Sequence, residues 1–184
     1  MKTSTIIIIV FVLLIIIAIG GTIAYFWFSN SSTKKEVTPK NETFDVRYVR
    51  LLASPKQTAM NVAELEVYDI NGNNVALHKP VTASSLHLGK LDHAIGLTDG
   101  LTDGNFNDTF AHTSNQEVGT EVWFEVDLQQ TYKIKEIKIY NRTDCCWDRL
   151  DNMLVLLYDE NRNLVKTIDT ELWLESDIVK TFVL

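Results

Sequence analysis

Two stretches of this 184-residue chain gather side chains whose types and spacing suit chemistry. The first is 141–149, Asn-Arg-Thr-Asp-Cys-Cys-Trp-Asp-Arg. Arg142 and Arg149 flank an adjacent pair, Cys145 and Cys146, with Asp144 and Asp148 beside them. A guanidinium presents five N–H donors in a fixed fork, which suits the vicinal hydroxyls of a sugar as well as a carboxylate. The bland alternative is two surface ion pairs around free thiols. Adjacent cysteines cannot staple distant strands, and their spacing excludes a C-x-x-C metal site. If they join, the bond is strained, because adjacent Cα atoms lie about 3.8 Å apart, and it needs an oxidising compartment. It then offers a flat, polarizable, apolar patch. The second stretch, 97–113, is crowded with Gly, Asn, Asp and Thr. Close carboxylates and carbonyls on a tight loop suit a hard cation such as Ca²⁺, which takes about 6–8 oxygens. The spacing is not that of an EF-hand, and on composition alone a solvated loop of Asx turns is the stronger reading.

These loops need a scaffold, and the rest of the chain reads as strands. The segments 46–52, 61–68, 121–128, 133–140, 153–158, 164–168 and 178–184 are short, apolar or alternating, and rich in β-branched and aromatic residues. Turn signals such as Asn71-Gly72 and 159–163 separate them. Strands at this spacing predict an all-β sandwich. Only 90–95 offers a turn of helix.

Ahead of this domain, 5–28 is apolar, uncharged and free of proline. At about 1.5 Å per residue a helix of that length crosses a hydrocarbon core of about 30 Å, and it exceeds the usual apolar core of a cleaved secretory signal. The expected organisation is a tail over 1–4, one transmembrane helix over 5–28, a polar tether over 29–43 and a domain over 44–184. That domain is long enough to bury a core without a disulfide framework. A formal charge of −7 carries no nucleic-acid footprint. Lysines on the C-terminal side of the span favour a cytoplasmic domain, whereas sequons at Asn30, Asn41, Asn107 and Asn141 permit the opposite orientation.

Residues 44–184 resemble the discoidin-like (coagulation factor 5/8 type C) domains, specifically their fucolectin branch. The resemblance runs through 74–85 (NVALHKPVTASS), 97–100 (LTDG), 111–113 (AHT), 122–128 (VWFEVDL) and the Arg-x-Asp-Cys-Cys-x-x-Arg of 142–149. It implies a jelly-roll β-sandwich that binds a fucose-like sugar. His112, Arg142 and Arg149 would hydrogen-bond the sugar, a Cys145–Cys146 disulfide would meet its apolar face, Phe106 would wall the pocket, and Asp144 would orient an arginine. Trp147 stands where the family usually has a smaller residue. The resemblance also implies a structural Ca²⁺ held by Asp99, the carbonyls of Gly96 and Leu101, the hydroxyl of Thr109, the Ala63 carbonyl and the Glu64 carboxylate. The family's disulfide between calcium loop and terminal strand is replaced here by Phe110 and Ala63.

One departure is informative. The family's last strand has its counterpart at 63–68, early in this chain. A circular permutation accounts for it, because chain ends of such domains lie close together. It predicts that 48–52 continues in space from 181–184.

The reading is a membrane-anchored, non-enzymatic, calcium-stabilised lectin for fucose-like terminal glycans, a homo-oligomer or densely displayed. Sugar binding and the disulfide place its domain on the extracellular or lumenal side, or on a virion surface, against the weak charge rule. A glycan on Asn141 would block the pocket, so that sequon is expected to be unmodified. The alternative is an adhesion module that meets protein or phospholipid through loop tips, with Leu86, Leu88 and Trp147 as its apolar spikes.

Overall fold

The computed structural model describes residues 42–106 and 110–184. The tail, the expected spanning helix over 5–28 and nearly all of the tether lie outside the described residues. Among those described, no helix is long and apolar enough to cross a membrane.

The strands are β1 (Phe44–Leu52), β2 (Asn61–Val62), β3 (Glu64–Asp69), β4 (Val81–Ala83), β5 (Ala111–His112), β6 (Trp123–Tyr140), β7 (Leu154–Tyr158), β8 (Leu164–Asp169) and β9 (Val179–Val183). One helical turn, α1 (Asp92–Ile95), lies where it was expected, and 3₁₀ turns form at His87–Gly89 and Trp147–Leu150. The order β3-β6-β1-β7-β8 forms the main sheet, with β4 and β9 also on β6, while β2 and β5 form a separate pair.

β6 organises the sandwich. The sequence predicts separate strands over 121–128 and 133–140, but the chain runs through as one strand of 18 residues. No Gly, Pro or Asn stands at 129–131 to turn it back. Instead the chain bulges, with Gln129 at φ 68°, and the pairing to β1 jumps from Tyr48↔Asp127 to Val46↔Tyr132. A second irregularity, at Tyr68/Asp69 of β3, lets the inward side chains of β6 change parity. Phe124, Val126, Leu128 and Ile134 precede it, and Ile137 and Ile139 follow it, all fully buried. They join Leu51, Leu65, Leu97, Leu150 and Leu157 in one core. Each such side chain contributes about 1.5–3 kcal/mol by leaving water.

β9 and β1 lie end to end along β6. Val183 pairs with Glu136, and Phe44 takes up the same side of β6 at Ile134. The predicted continuation therefore exists, but it is made by Phe44, with 48–52 following further along β1. The segment 61–68, expected as one strand, breaks at Ala63. Asn61 and Val62 pair with β5, whereas 64–69 pairs with β6. Ala63 N–H donates to the Tyr140 carbonyl at this change of partner. The break sets Asn61 and Glu64 beside two different loops.

Candidate functional site

The loop after β6 is folded by its own first residue. Asn141 is fully buried. Its Oδ1 accepts from Arg142 N at 2.7 Å, and its Nδ2 donates to the Trp147 carbonyl at 3.1 Å. A glycan on that nitrogen has no room. Cys145 and Cys146 are joined as a disulfide. Cys146 adopts φ 59° and starts the 3₁₀ turn, in which Leu150 is buried in the core. That anchor fixes the neighbouring Arg149.

Arg149 reaches the short β2–β5 pair, where Asn61 lies directly opposite His112. Its Nη1 donates to Asn61 Oδ1 at 2.9 Å and meets His112 Nε2 at 3.1 Å. Since a guanidinium only donates, Nε2 must be the accepting nitrogen, and Nδ1 carries the proton toward the Thr113 carbonyl. Burial, reinforced by His87, Arg149 and Arg142, pushes the imidazole down to about 4, so His112 is neutral at pH 7. In this state it accepts from Arg149, whereas the resemblance implied a donor to sugar. Burial and then Arg142 also lower the Arg149 guanidinium.

Arg142 is held differently. Its Nε and Nη2 meet Asp144 at 2.6 and 3.1 Å, so Asp144 orients it. Its guanidinium carbon lies 4.6 Å over the Phe106 ring. Phe106 stands edge-on to His112 at 5.7 Å. The structure thus brings together His112, Arg142, Arg149 and Phe106, with the disulfide in the same loop as both arginines. It adds three residues that sequence reasoning missed: Asn61, His87 and His93. The His87 ring lies 4.6 Å from His112, and His93 stacks on Phe106 at 5.9 Å while its Nδ1 meets the Phe110 carbonyl. Nothing in their spacing marks them; only the β2–β5 pairing and the turns before α1 carry them to the site.

Two neutral acceptors, two cations and an aromatic ring make a cluster rich in directed N–H donors and poor in free negative charge. It suits a neutral, polyhydroxylated ring with one apolar face. Two expectations follow. His112 titrates near pH 6.5 when unfolded but near 4 when folded, so the unfolded chain takes up the extra proton as pH falls through that window. Stability supplied by neutral His112 is therefore complete above about pH 6.5 and declines as pH falls toward about 4. Melting curves in that range should show the decline, and His112→Asn should flatten it. Gly104 supports the arginine loop from beneath, its carbonyl accepting from Thr143 N at 2.8 Å. A Cβ there would sit 2.5 Å from Thr143 Cγ2 and 2.7 Å from the Asn141 carbonyl. Gly104→Ala must spread the two loops, at a cost of about 1–3 kcal/mol, and should lower both melting temperature and ligand affinity.

The second site expected from the sequence lies at 96–101. Glu64 is fully buried beneath this loop. Its Oε2 accepts from Gly100 N at 3.2 Å, and its Oε1 has no hydrogen-bond partner. Burial pushes the carboxyl up to about 8, against the Gly100 hydrogen bond and with help from Asp99 and Glu66. Asp99 Oδ1 accepts from Leu101 N at 2.8 Å in an Asx turn, and Gly100 takes φ 87° beside it. Gly96 caps α1 and is buried, Ala63 is buried next to Glu64, and Leu101 is exposed. Thr109 lies outside the described residues. Among the described residues no three His, Cys, Asp or Glu are arranged to hold a metal. The expected set contains only two carboxylates, the rest being carbonyls and a hydroxyl. A buried carboxylate oxygen without a partner, beside a second carboxylate, fits a hard cation.

Comparison with known proteins agrees with this geometry. The family model for the NedA-like, galactose-binding domain of F5/F8 type C matches residues 100–176. Fucolectin-6 of Anguilla japonica is 36% identical over 92 residues, 48% of each chain. Fucolectin-4 of the same eel is 35% identical over 94 residues, 49% of this chain and 50% of its own. The fucolectin of Anguilla anguilla is 36% identical over 81 residues, 42% and 49%. The chain spans about half the length of the curated relatives it matches. No solved structure matches it. With its β-sandwich, the Arg-x-Asp-Cys-Cys-x-x-Arg loop and these relatives, the domain is similar to the discoidin-like, F5/8 type C domains, and within them to the fucolectins.

Proposed function

We propose that the domain is a lectin for fucose-like terminal sugars, stabilised by Ca²⁺ and displayed from a membrane. The observation that carries the sugar site is the meeting of Arg149 Nη1 with His112 and Asn61, 2.9–3.1 Å apart, beside an Arg142 stacked on Phe106. Arg149 and Arg142 donate to the ring's hydroxyls, His112 holds Arg149 in place by accepting from it, and Phe106 and the Cys145–Cys146 disulfide line the apolar face. The protein binds rather than transforms its ligand; the relatives it matches are lectins by name.

Ca²⁺ would be held by Glu64, Asp99, the carbonyls of Ala63, Gly96 and Leu101, and Thr109. It would neutralise the two carboxylates and tie the 96–101 loop to β3. Phe110 and Ala63 are both buried and flank the Val62↔Ala111 pair, so apolar packing would stand in for a covalent tie. Residues 5–28 supply the anchor and 29–43 the reach, with the domain on the extracellular or lumenal side or on a virion surface. A disulfide next to the sugar loop supports that side. Several copies, as a homo-oligomer or a dense membrane array, would raise the avidity of a weak single site. Of the three apolar loop side chains that favour a lipid- or protein-binding module, only Leu88 is exposed, whereas Leu86 and Trp147 are partly buried.

Calorimetric titration with methyl α-L-fucopyranoside in Ca²⁺ tests the reading, beside an array of terminal sugars with and without EDTA. Saturable fucoside binding is expected. Binding to phospholipid vesicles with no response to any sugar overturns it.

A further inference from the structure

Asn61 belongs to no motif, yet it sits at the centre of the site. It is fully buried, and its Nδ2 has no hydrogen-bond partner. Turning the amide over does not cure this, because the flip would set an NH₂ group against the guanidinium and lose the acceptor that Arg149 uses. A buried amide with an unmet N–H is a costly occupant of a core position, where an apolar side chain of the same size leaves no polar atom unsatisfied. What the amide supplies is a second neutral acceptor. The cross-strand register places it beside His112, and the two together take Arg149 Nη1 at 2.9 and 3.1 Å. Both protons of that nitrogen are spent in this way, which leaves the Nη2 and Nε donors.

We propose that Asn61 is a positioning residue of the sugar site: its buried amide oxygen locks Arg149 Nη1 against His112 and so reserves the other guanidinium edge for the ligand. The proposal rests on the sugar-binding reading, and two measurements separate their failures. The first is calorimetric titration of the Ca²⁺-loaded protein with methyl α-L-fucopyranoside. Asn61→Leu should bind roughly tenfold or more weakly, whereas Asn61→Asp, which keeps the acceptor, should stay within about threefold of the native protein. Equal affinity of Asn61→Leu and native protein overturns the proposal.

The second measurement needs no ligand. The Arg149 guanidinium N–H signals, observed by ¹⁵N NMR, should be protected from exchange in native protein and in Asn61→Asp, and averaged in Asn61→Leu. If native protein binds no fucoside, the lectin reading falls, and this measurement still decides the role of Asn61. An Arg149 as ordered in Asn61→Leu as in the native protein overturns it. Should Asn61→Leu not fold, Asn61→Ser, whose oxygen is too short to reach Nη1, takes its place with the same expected loss.

Discussion

Arg149→Ala should abolish measurable binding of a fucoside while leaving the domain folded. Each hydrogen bond from a charged donor contributes about 1.5–3 kcal/mol, so losing two donors to the ligand weakens affinity by about 10²–10⁴-fold. The fold should tolerate the change, because the 3₁₀ turn is anchored by buried Leu150 and by the Asn141–Trp147 hydrogen bond rather than by the arginine. The space that the arginine vacates is polar and large enough to admit water to the freed acceptors, Asn61 Oδ1 and His112 Nε2. Arg149→Lys should rescue little. An ammonium is a compact charge without the planar fork, and it cannot bridge Asn61 and His112 while also reaching a sugar. Arg142→Ala should be milder, since two of its nitrogens already serve Asp144. Calorimetry on native protein and the three variants orders them, with circular dichroism as the control for folding. An Arg149→Ala protein that binds within about threefold of native would mean that this cluster is not the binding site.

The sequence revealed the parts of this site that lie close together along the chain. Arg142, Asp144, the two cysteines and Arg149 sit within eight consecutive positions of a single loop, so their spacing alone announced a forked donor set. The strands were legible for a similar reason, since period-2 alternation is local. What escaped depends on pairing across long separations. Asn61 meets His112 only because two strands of two residues each pair across the fold, and a pair that short leaves no alternating pattern. His87 and His93 flank a turn and carry no motif; the packing of their rings on His112 and Phe106 is what gives them a place. β6 misled for the opposite reason. Its polar middle, 129–131, looks like a turn, but without a residue suited to reversing the chain it bulges and continues. Glu64 is a mixed case. Alternation alone assigns it to an exposed face, with Glu66 and Tyr68, and the 96–101 loop that buries it is visible only in three dimensions.

That burial carries the second large effect. Chelating Ca²⁺ should lower the melting temperature of the native protein, and Glu64→Gln should erase the difference. Without a cation, folding confines a carboxyl with an unpartnered oxygen beside Asp99, and its proton affinity rises in response. A hard cation supplies the missing partner. At a Ca²⁺ concentration about a hundred times its dissociation constant, linkage adds about 2.7 kcal/mol, which for a domain of this size is a shift of about 8 °C. The glutamine variant separates this from a general effect of salt. Its neutral amide is buried without the proton uptake that the raised Glu64 carboxyl needs, so chelated Glu64→Gln should melt at or above chelated native protein. It also offers a cation only a weak carbonyl, so added Ca²⁺ should no longer raise its melting point. A cation acting diffusely on a chain of net charge −7 would instead stabilise both proteins alike, and Mg²⁺, which demands a tighter octahedral shell, would do so as well as Ca²⁺. Identical melting curves of native protein with and without EDTA would remove the cation from the fold and leave Glu64 as a protonated side chain hydrogen-bonded to Gly100.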